Sequence, residues 1–171
     1  VALLKGELRD ESGDPVEDAT IEIAYEGSDE VTEIKVNGND GKYAAIVKTN
    51  KKQDVMVTVK KEGHAFDSRV IEKTEFKDDN VAIKGKDLAV KELKVGEAYT
   101  INDILYSTAS ARLNDRSKFI LKGFARFLKE NETISVSIQG HTDNEGDAAK
   151  NLKLSQDRAD GVKEFLISQG I

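Results

Sequence analysis

Apolar and polar residues alternate in short runs along the first half of the chain. Within residues 19–25 the side chains of Ile21, Ile23 and Tyr25 share one face, and the valines of residues 55–59 repeat this spacing. Successive side chains of a strand point to opposite faces of a sheet, so this period of two predicts strands with one buried face each. Turn signals recur roughly every 8–12 residues. Residues 1–93 therefore predict a small antiparallel β-domain without helices.

Two polar segments between these runs have the composition of tight turns. Residues 12–15 are Ser-Gly-Asp-Pro, and residues 37–41 are Asn-Gly-Asn-Asp-Gly. Glycine reaches positive φ at no steric cost, and Asn and Asp side chains bond to nearby backbone groups. Both segments are therefore predicted to be corners between strands.

The hydrophobic period changes to that of a helix after residue 96. Asn114 or Asp115 can cap a first helix, in which apolar side chains recur at Ile120, Phe124, Phe127 and Leu128. A second helix is predicted over residues 147–168, with an apolar side at Val162, Phe165 and Leu166.

Alternating residues before each helix predict strands at residues 99–105 and 134–138. The resulting β-α-β-α order favours a layered α/β or α+β domain, in which a right-handed crossover brings the strands together. We therefore predict two domains, an all-β sandwich over residues 1–95 and the layered domain over residues 96–171. Because two strands make a poor sheet alone, we expect the second domain to continue beyond residue 171.

Composition excludes several classes of function. The net charge of −6 over 171 residues argues against nucleic-acid binding, which needs a concentrated basic surface. Cysteine is absent, and His64 and His141 lie outside any metal-hydrolase spacing. Ser155 has no histidine at a recognisable offset, so a nucleophilic triad is unsupported. We therefore predict no catalytic residue, metal ion or cofactor, and no apolar run is long enough to span a membrane.

The strongest candidate chemistry lies in residues 140–159. Asn151, Ser155 and Arg158 fall on one stripe of the second predicted helix, because their offsets are helical, and this stripe continues into the apolar Val162. An arginine beside a core is costly to desolvate unless it meets an anion, and Asp143 precedes the same helix. The two charged side chains are expected to line the rim of a cleft.

Two interpretations of Asp143 and Arg158 remain open on the residues alone. The first is an ion pair that only fastens the loop to its helix. The second is a pocket for a zwitterion, in which Asp143 takes an ammonium group and Arg158 takes a carboxylate, with loop N–H groups assisting at the helix N-terminus.

A longer set of spaced residues resembles the outer membrane protein A-like (OmpA-like) C-terminal domain. The similarity covers residues 96–171 and stops short of the family's final strands. The matching positions are residues 99–106, Ala111, Leu113, the helix at 119–128, Gly140, His141, Thr142, Asp143, Gly146, Asn151, Leu154, Ser155, Arg158, Ala159, Val162, Leu166, Gly170 and Ile171. The resemblance implies a peptidoglycan-binding domain that is incomplete at its C-terminal end.

The resemblance also implies a ligand. In that family the Asp of His-Thr-Asp and the Arg of Leu-Ser-x-x-Arg-Ala hold the diaminopimelate of the peptidoglycan stem peptide, and Asp143 and Arg158 stand at those positions. His141 is expected to be a supporting loop residue. Further contacts are expected from the same motifs, at Thr142, Asn151, Leu154 and Ser155.

This chain departs from the family pattern in two places. The family usually has an aspartate after the aromatic residue of its first strand, whereas this chain has Tyr106-Ser107-Thr108. Tyr106 and Ser107 are therefore candidates for altered ligand contacts. The family's terminal Asn-Arg-Arg element is missing, which removes a part of the expected pocket wall.

The first domain resembles the carboxypeptidase regulatory-like, transthyretin-like β-sandwich. The similarity covers residues 1–76 and is carried by residues 6–10, 13–16, 19–23, 40–43 and 60–63. It implies a structural or adhesive spacer, and we assign no site to it.

The expected function is noncatalytic binding of peptidoglycan, which would tether an outer-membrane-associated protein to the cell wall. The expected location is the periplasmic face of the outer membrane in a Gram-negative envelope, with membrane association through regions outside this chain. One alternative is an envelope protein-interaction scaffold in which the pair Asp143 and Arg158 is only structural. A wall-modifying enzyme is the other alternative, and the missing metal and triad spacings argue against it.

Overall fold

In the computed structural model the chain divides into two units, Val1–Asn102 and Asp103–Ile171. The structure describes residues 1–48, 53–76, 80–83, 88–143 and 145–171, with the backbone alone for residues 80–83. The division falls close to residue 96, where the sequence predicts the second domain to begin.

Unit 1 is built from β-strands. Its described residues form β1 (Ala2–Glu7), β2 (Thr20–Tyr25), β3 (Val31–Lys35), β4 (Lys42–Val47), β5 (Val55–Lys60), β6 (Asp67–Ile71) and β7 (Asn80–Ile83), with a short 3-10 helix at Lys73–Glu75. The strands lie in a three-stranded sheet of order β4-β1-β7 and a four-stranded sheet of order β3-β2-β5-β6. β1 and β7 pair in parallel, and the other pairs are antiparallel. The predicted strands at residues 19–25 and 55–59 are confirmed.

Both sheets contribute to one hydrophobic core. Leu4 and Val47 of the three-stranded sheet and Ile21, Val57 and Ile71 of the four-stranded sheet are all 0% exposed within the same cluster. Removing these side chains from water is the main favourable contribution to folding of the unit. The all-β prediction for the first domain is confirmed. The prediction of an antiparallel domain without helices is wrong for the parallel pair β1–β7 and for the 3-10 helix at Lys73–Glu75, because alternation along one strand does not indicate the direction of its partner.

The expectation of one buried face per strand is wrong for β2 and β5. Glu22 and Thr58, which point away from the apolar stripe, are each only 4% exposed. Both strands are internal strands of their sheet, so each has neighbours on two sides. The Lys60 Nζ lies 3.8 Å from the Glu22 carboxylate and compensates its buried charge. Alternation of apolar and polar residues identifies the apolar face of a strand, but it does not indicate whether the opposite face is also covered.

The two predicted corners are turns in the structure. Gly13 has a φ of 85° and donates its N–H to the Asp10 carbonyl at 3.0 Å. Gly41 has a φ of 72°, and a Cβ there would lie 2.2 Å from the Leu8 carbonyl oxygen. Glycine at residue 41 therefore satisfies both a positive φ and a close backbone approach.

Unit 2 contains two helices in its described residues, α1 (Asp115–Glu130) and α2 (Ala148–Ser168), which pack against each other. The Asn114 side chain caps α1 by accepting the Ser117 N–H at 2.8 Å, and Asp147 caps α2 through the Lys150 N–H at 2.9 Å. Their buried apolar side chains include Ile120, Phe124, Leu128, Val162 and Leu166. Both predicted helices are confirmed. Within the described part of the chain, no helix combines the length and the apolar character needed to cross a bilayer.

The predicted strands at residues 99–105 and 134–138 are not strands in the structure, so the β-α-β-α order is not confirmed. Ile134 and Ile138 are half-buried, but Val136, which would share their face in a strand, is 47% exposed, so the predicted buried face is not formed. A strand requires backbone hydrogen bonds to a neighbour, and a period of two indicates a face without indicating a partner. Helices alone give regular structure to the described part of unit 2.

Candidate functional site

Arg158 belongs to α2, and three contacts fix the position of its side chain. Its Nε donates to the Ser110 carbonyl at 2.9 Å, and its Nη1 donates to the His141 carbonyl at 2.8 Å. Its Cζ lies 4.5 Å from the centre of the Tyr106 ring. A guanidinium has five N–H donors. Among the described residues nothing accepts from Nη2, so two donors of a half-buried cation are available to a ligand.

Gly140 allows the loop before α2 to lie directly against that helix. A Cβ at this position would lie 2.2 Å from the Ser155 carbonyl oxygen and 3.1 Å from the Arg158 Cβ. A larger residue would force the loop and the helix apart. The close approach places the next carbonyl, that of His141, at Nη1 of Arg158. The predicted supporting role of His141 is thus carried by its backbone oxygen.

Asn151 holds the loop that carries Asp143. Its Nδ2 donates to the Glu145 carbonyl at 2.9 Å and lies 3.5 Å from the Asp143 carbonyl. The Thr142 hydroxyl donates to the same Asp143 oxygen at 3.1 Å. These bonds fix the backbone of the loop and leave the Asp143 side chain exposed. The described residues offer its carboxylate neither a hydrogen bond nor an ion pair.

Asp143 and Arg158 do not form an ion pair in the described structure. The Asp143 backbone lies beside Asn151, which is seven residues before Arg158 on α2, or about 10 Å along the helix axis. The interpretation in which the pair merely fastens the loop to its helix is therefore not observed. Arg158 is fastened by carbonyl oxygens instead, and the carboxylate of Asp143 stays in solvent.

Tyr106 lies at the start of a tight turn that ends at Ser110. The Ser110 N–H donates to the Ser107 carbonyl at 3.1 Å, and Ala109 has a φ of 56°. A left-handed conformation costs an alanine roughly 1 kcal/mol, which the rest of the turn must offset. Burial raises the pKa of the Tyr106 phenol above 10.0, and the nearby Arg158 cation lowers it by a smaller amount. The ring is therefore neutral when it stacks on Arg158 at neutral pH.

Three predicted site residues contribute less through their side chains. Ser155 is half-buried and presents its carbonyl oxygen to Gly140, and Leu154 is half-buried beside it. Ser107 is exposed and contributes its carbonyl oxygen to the turn. In the described structure none of these side chains is hydrogen-bonded to Asp143 or Arg158.

The sequence reasoning did not find Ser110. This residue contributes a backbone oxygen, and every residue type has one, so no side-chain motif marks the contact. The positive φ of Ala109 also has no signal in the sequence, because alanine rarely adopts this conformation. Gly140 was the one available signal, since a glycine before a helix often indicates close backbone contact.

The chain matches the model described as OmpA family over residues 105–171. These residues therefore form an OmpA family domain, which confirms the resemblance inferred from the His-Thr-Asp and Leu-Ser-x-x-Arg-Ala motifs.

Several curated proteins are similar to this chain. Probable lipoprotein YiaD of Escherichia coli (strain K12) is 39% identical over 70 residues, which cover 41% of this chain and 32% of the relative. Peptidoglycan-associated lipoprotein of Buchnera aphidicola is 33% identical over 98 residues, covering 57% of this chain and 51% of the relative. Outer membrane porin F of Pseudomonas aeruginosa is 31% identical over 67 residues, which cover 39% of this chain and 19% of the relative. The chain thus spans about half or less of the length of these relatives.

Proposed function

We propose that unit 2 binds peptidoglycan without catalysis, with Arg158 receiving a carboxylate and Asp143 receiving an ammonium group. The observation that carries the proposal is the position of Arg158, which is fastened by the carbonyls of Ser110 and His141 and not by Asp143. The positive charge of Arg158 and the negative charge of Asp143 are therefore both available to one ligand. The membership of residues 105–171 in the OmpA family supports the same conclusion.

The chemistry of the two groups favours a zwitterionic ligand. A half-buried guanidinium with unused donors gains most from a carboxylate, because charge-assisted hydrogen bonds are about twice as strong as neutral ones. Diaminopimelate in the peptidoglycan stem peptide ends in an ammonium and a carboxylate on one carbon. The side chain of a lysine at that position ends in the ammonium alone and would give Arg158 no side-chain carboxylate. We therefore propose the diaminopimelate-containing stem peptide as the ligand.

The remaining predicted residues have supporting roles in this proposal. Asn151 and Thr142 hold the Asp143 loop, and Tyr106 contacts the guanidinium. The side chains proposed to line the rest of the site are Leu154, Ser155 and Ser107.

The cellular role proposed here is attachment of an outer-membrane-associated protein to the cell wall. The names of the similar proteins, among them a peptidoglycan-associated lipoprotein and an outer membrane porin, support a place at the periplasmic face of the outer membrane in a Gram-negative envelope. Contact with the membrane would come from regions outside this chain. We propose that unit 1 is a transthyretin-like sandwich that acts as a spacer.

Co-sedimentation with insoluble diaminopimelate-type peptidoglycan tests this function. Arg158→Gln and Asp143→Asn each remove one charge while keeping a similar side-chain shape. Each lost charge-assisted contact is worth about 1.5–3 kcal/mol, so both variants should bind on the order of 10- to 100-fold more weakly. Arg112→Gln and Asp160→Asn make the same charge changes at exposed positions of unit 2 and should bind as the unsubstituted chain does.

The controls separate a specific site from general electrostatic attraction. If each control variant weakens binding as much as the site variant with the same charge change, general electrostatics accounts for the binding and the site is wrong. If Arg158→Gln and Asp143→Asn both co-sediment as the unsubstituted chain does, the site assignment is wrong. If the unsubstituted chain itself does not co-sediment, the scaffold alternative replaces peptidoglycan binding. Release of soluble muropeptides during the incubation would instead indicate a wall-modifying enzyme.

A further inference from the structure

Tyr106 and Ser110 contact Arg158 from the same turn. The guanidinium carbon of Arg158 lies over the ring of Tyr106, and the Ser110 carbonyl accepts from Nε of the same group. Ser110 also closes the turn through the Ser107 carbonyl. Tyr106 immediately precedes this turn, so the position of the ring and the position of the carbonyl are linked through five consecutive residues, 106–110.

Asp143 carries an exposed carboxylate in the same unit, and this carboxylate is a possible alternative partner for Arg158. A flexible arginine near an exposed carboxylate is attracted to it, and an ion pair between the two would neutralise both ligand-binding charges. In the described structure that pair is not formed, and the carbonyls of Ser110 and His141 take Nε and Nη1 instead. Something must favour the carbonyl-bound position over the ion pair.

We infer that Tyr106 is the residue that positions Arg158. Its ring holds the guanidinium against the two carbonyls and away from Asp143, so that Nη2 is presented to a ligand carboxylate. This inference rests on the proposed function, since it assigns Tyr106 a role in that same site. Tyr106 contributes through Arg158 and not through a bond of its own to the ligand.

The ring is suited to this role at neutral pH. A neutral aromatic face attracts a cation through its quadrupole, and the attraction grows when both groups are partly removed from water. Tyr106 and Arg158 are both half-buried. Burial also raises the pKa of the Tyr106 phenol, so the hydroxyl keeps its proton. The interaction depends on the ring and not on the hydroxyl, which distinguishes it from a hydrogen bond to ligand.

The test compares Tyr106→Phe with Tyr106→Leu in the full chain, using a soluble diaminopimelate-containing tripeptide in isothermal titration calorimetry. Tyr106→Leu should bind about 5- to 30-fold more weakly, and Tyr106→Phe should restore most of the lost affinity. Leu105→Ala, at the exposed neighbouring residue, is the control for general effects on this loop and should match the unsubstituted chain.

A second series keeps the size of the ring constant. Phenylalanines with increasing fluorine content at residue 106 have progressively weaker quadrupoles, so affinity should fall with each fluorine. If affinity is independent of fluorine content and Tyr106→Leu binds like Tyr106→Phe, the positioning role is overturned. Should Tyr106→Leu fail to fold, the fluorinated series alone decides the question.

A measurement without ligand separates this inference from the proposed function. Exchange of the Arg158 Nε–H with solvent, followed by NMR, should be slow in the unsubstituted chain and in Tyr106→Phe, and faster in Tyr106→Leu. If the tripeptide fails to bind but exchange follows this order, the proposed function fails and the positioning role stands. Equal exchange in all three proteins would overturn the positioning role even if the tripeptide binds.

Discussion

The guanidinium carbon of Arg158 lies 4.5 Å from the centre of the Tyr106 ring. Because backbone carbonyls hold two edges of the same guanidinium, the arginine is oriented before any ligand arrives. Ordering a long side chain on binding costs about 0.5–1.5 kcal/mol, and an arginine that is already ordered avoids this cost. The same contacts occupy Nε and Nη1 of Arg158 with backbone carbonyls, and within the described residues Arg158 makes no ion pair with Asp143.

The ionisation of Tyr106 reports directly on this contact. Burial raises its pKa above 10.0, and the Arg158 cation lowers it by less. Replacing Arg158 with Met removes the cation and should therefore move the pKa of Tyr106 further upward. The measurement is a titration of tyrosinate ultraviolet absorbance, with Tyr106→Phe subtracted in each background.

The pH dependence of stability follows from the same shift. The pKa of Tyr106 is higher in the folded chain than in the unfolded chain, so folding is favoured by the protonated phenol. This contribution to stability is fully present below pH 10 and is lost as the pH rises through the folded-state pKa. Tyr106→Phe should therefore lose less stability than the unsubstituted chain above pH 10. A Tyr106 midpoint below 10.0, or a downward move in Arg158→Met, would contradict the assigned environment.

Two glycines of unit 2 should respond oppositely to replacement by alanine. The Cβ of Gly140→Ala would lie 2.2 Å from the Ser155 carbonyl oxygen, and the required displacement should cost roughly 1–3 kcal/mol of stability. The Cβ of Gly161→Ala would lie 3.7 Å from the Ala111 carbonyl oxygen, an ordinary contact. Because alanine is the better helix former, Gly161→Ala should add up to about 1 kcal/mol.

Urea unfolding, followed through the backbone NMR signals of α2, gives both free energies of unfolding. The Gly140→Ala variant should also bind the stem peptide more weakly, since the loop and the His141 carbonyl move with residue 140. A Gly140→Ala variant as stable as Gly161→Ala would show that the loop does not lie against α2.

Asn151→Ala should weaken ligand binding while leaving α2 intact. The substitution removes the Nδ2 donor that holds the Glu145 carbonyl at 2.9 Å, so the loop carrying Asp143 becomes less ordered. A hydrogen bond of this kind contributes about 1 kcal/mol, which corresponds to roughly 5-fold in affinity. Calorimetry with the stem peptide measures the change.

Asn131→Ala is the matched control, because Asn131 Nδ2 donates to the Phe127 carbonyl at the end of α1 at 2.8 Å. It loses an equivalent bond in the same unit. Its effect should appear in stability and not in affinity. Equal losses of affinity in both variants would indicate that the loop of Asp143 has no special part in binding.

The elements that the sequence predicted correctly are those whose signals are local. The caps Asn114 and Asp147 mark the starts of α1 and α2 because a side-chain oxygen accepts an N–H within the same turn. The strands at residues 20–25 and 55–60 repeat their apolar residues with a period of two. Such patterns need no knowledge of distant residues.

The parts that could not be predicted depend on distant partners. Residues 134–138 alternate in character, but pairing depends on a neighbouring strand, and none of the described residues forms one there. The Nε of Arg158 bonds to a carbonyl 48 residues earlier in the chain, at Ser110. Helical spacing placed Arg158 and Asn151 on one stripe, yet it did not distinguish an ion pair with Asp143 from separate charges.

The central claim is that Arg158 binds a carboxylate and Asp143 an ammonium of the same ligand. Calorimetry should compare a diaminopimelate-containing stem tripeptide with the same tripeptide containing lysine, using the unsubstituted chain and Arg158→Gln. The unsubstituted chain should prefer the diaminopimelate peptide on the order of 10-fold or more, and Arg158→Gln should bind the two peptides about equally. A preference that survives in Arg158→Gln, or equal binding of both peptides by the unsubstituted chain, would contradict the account.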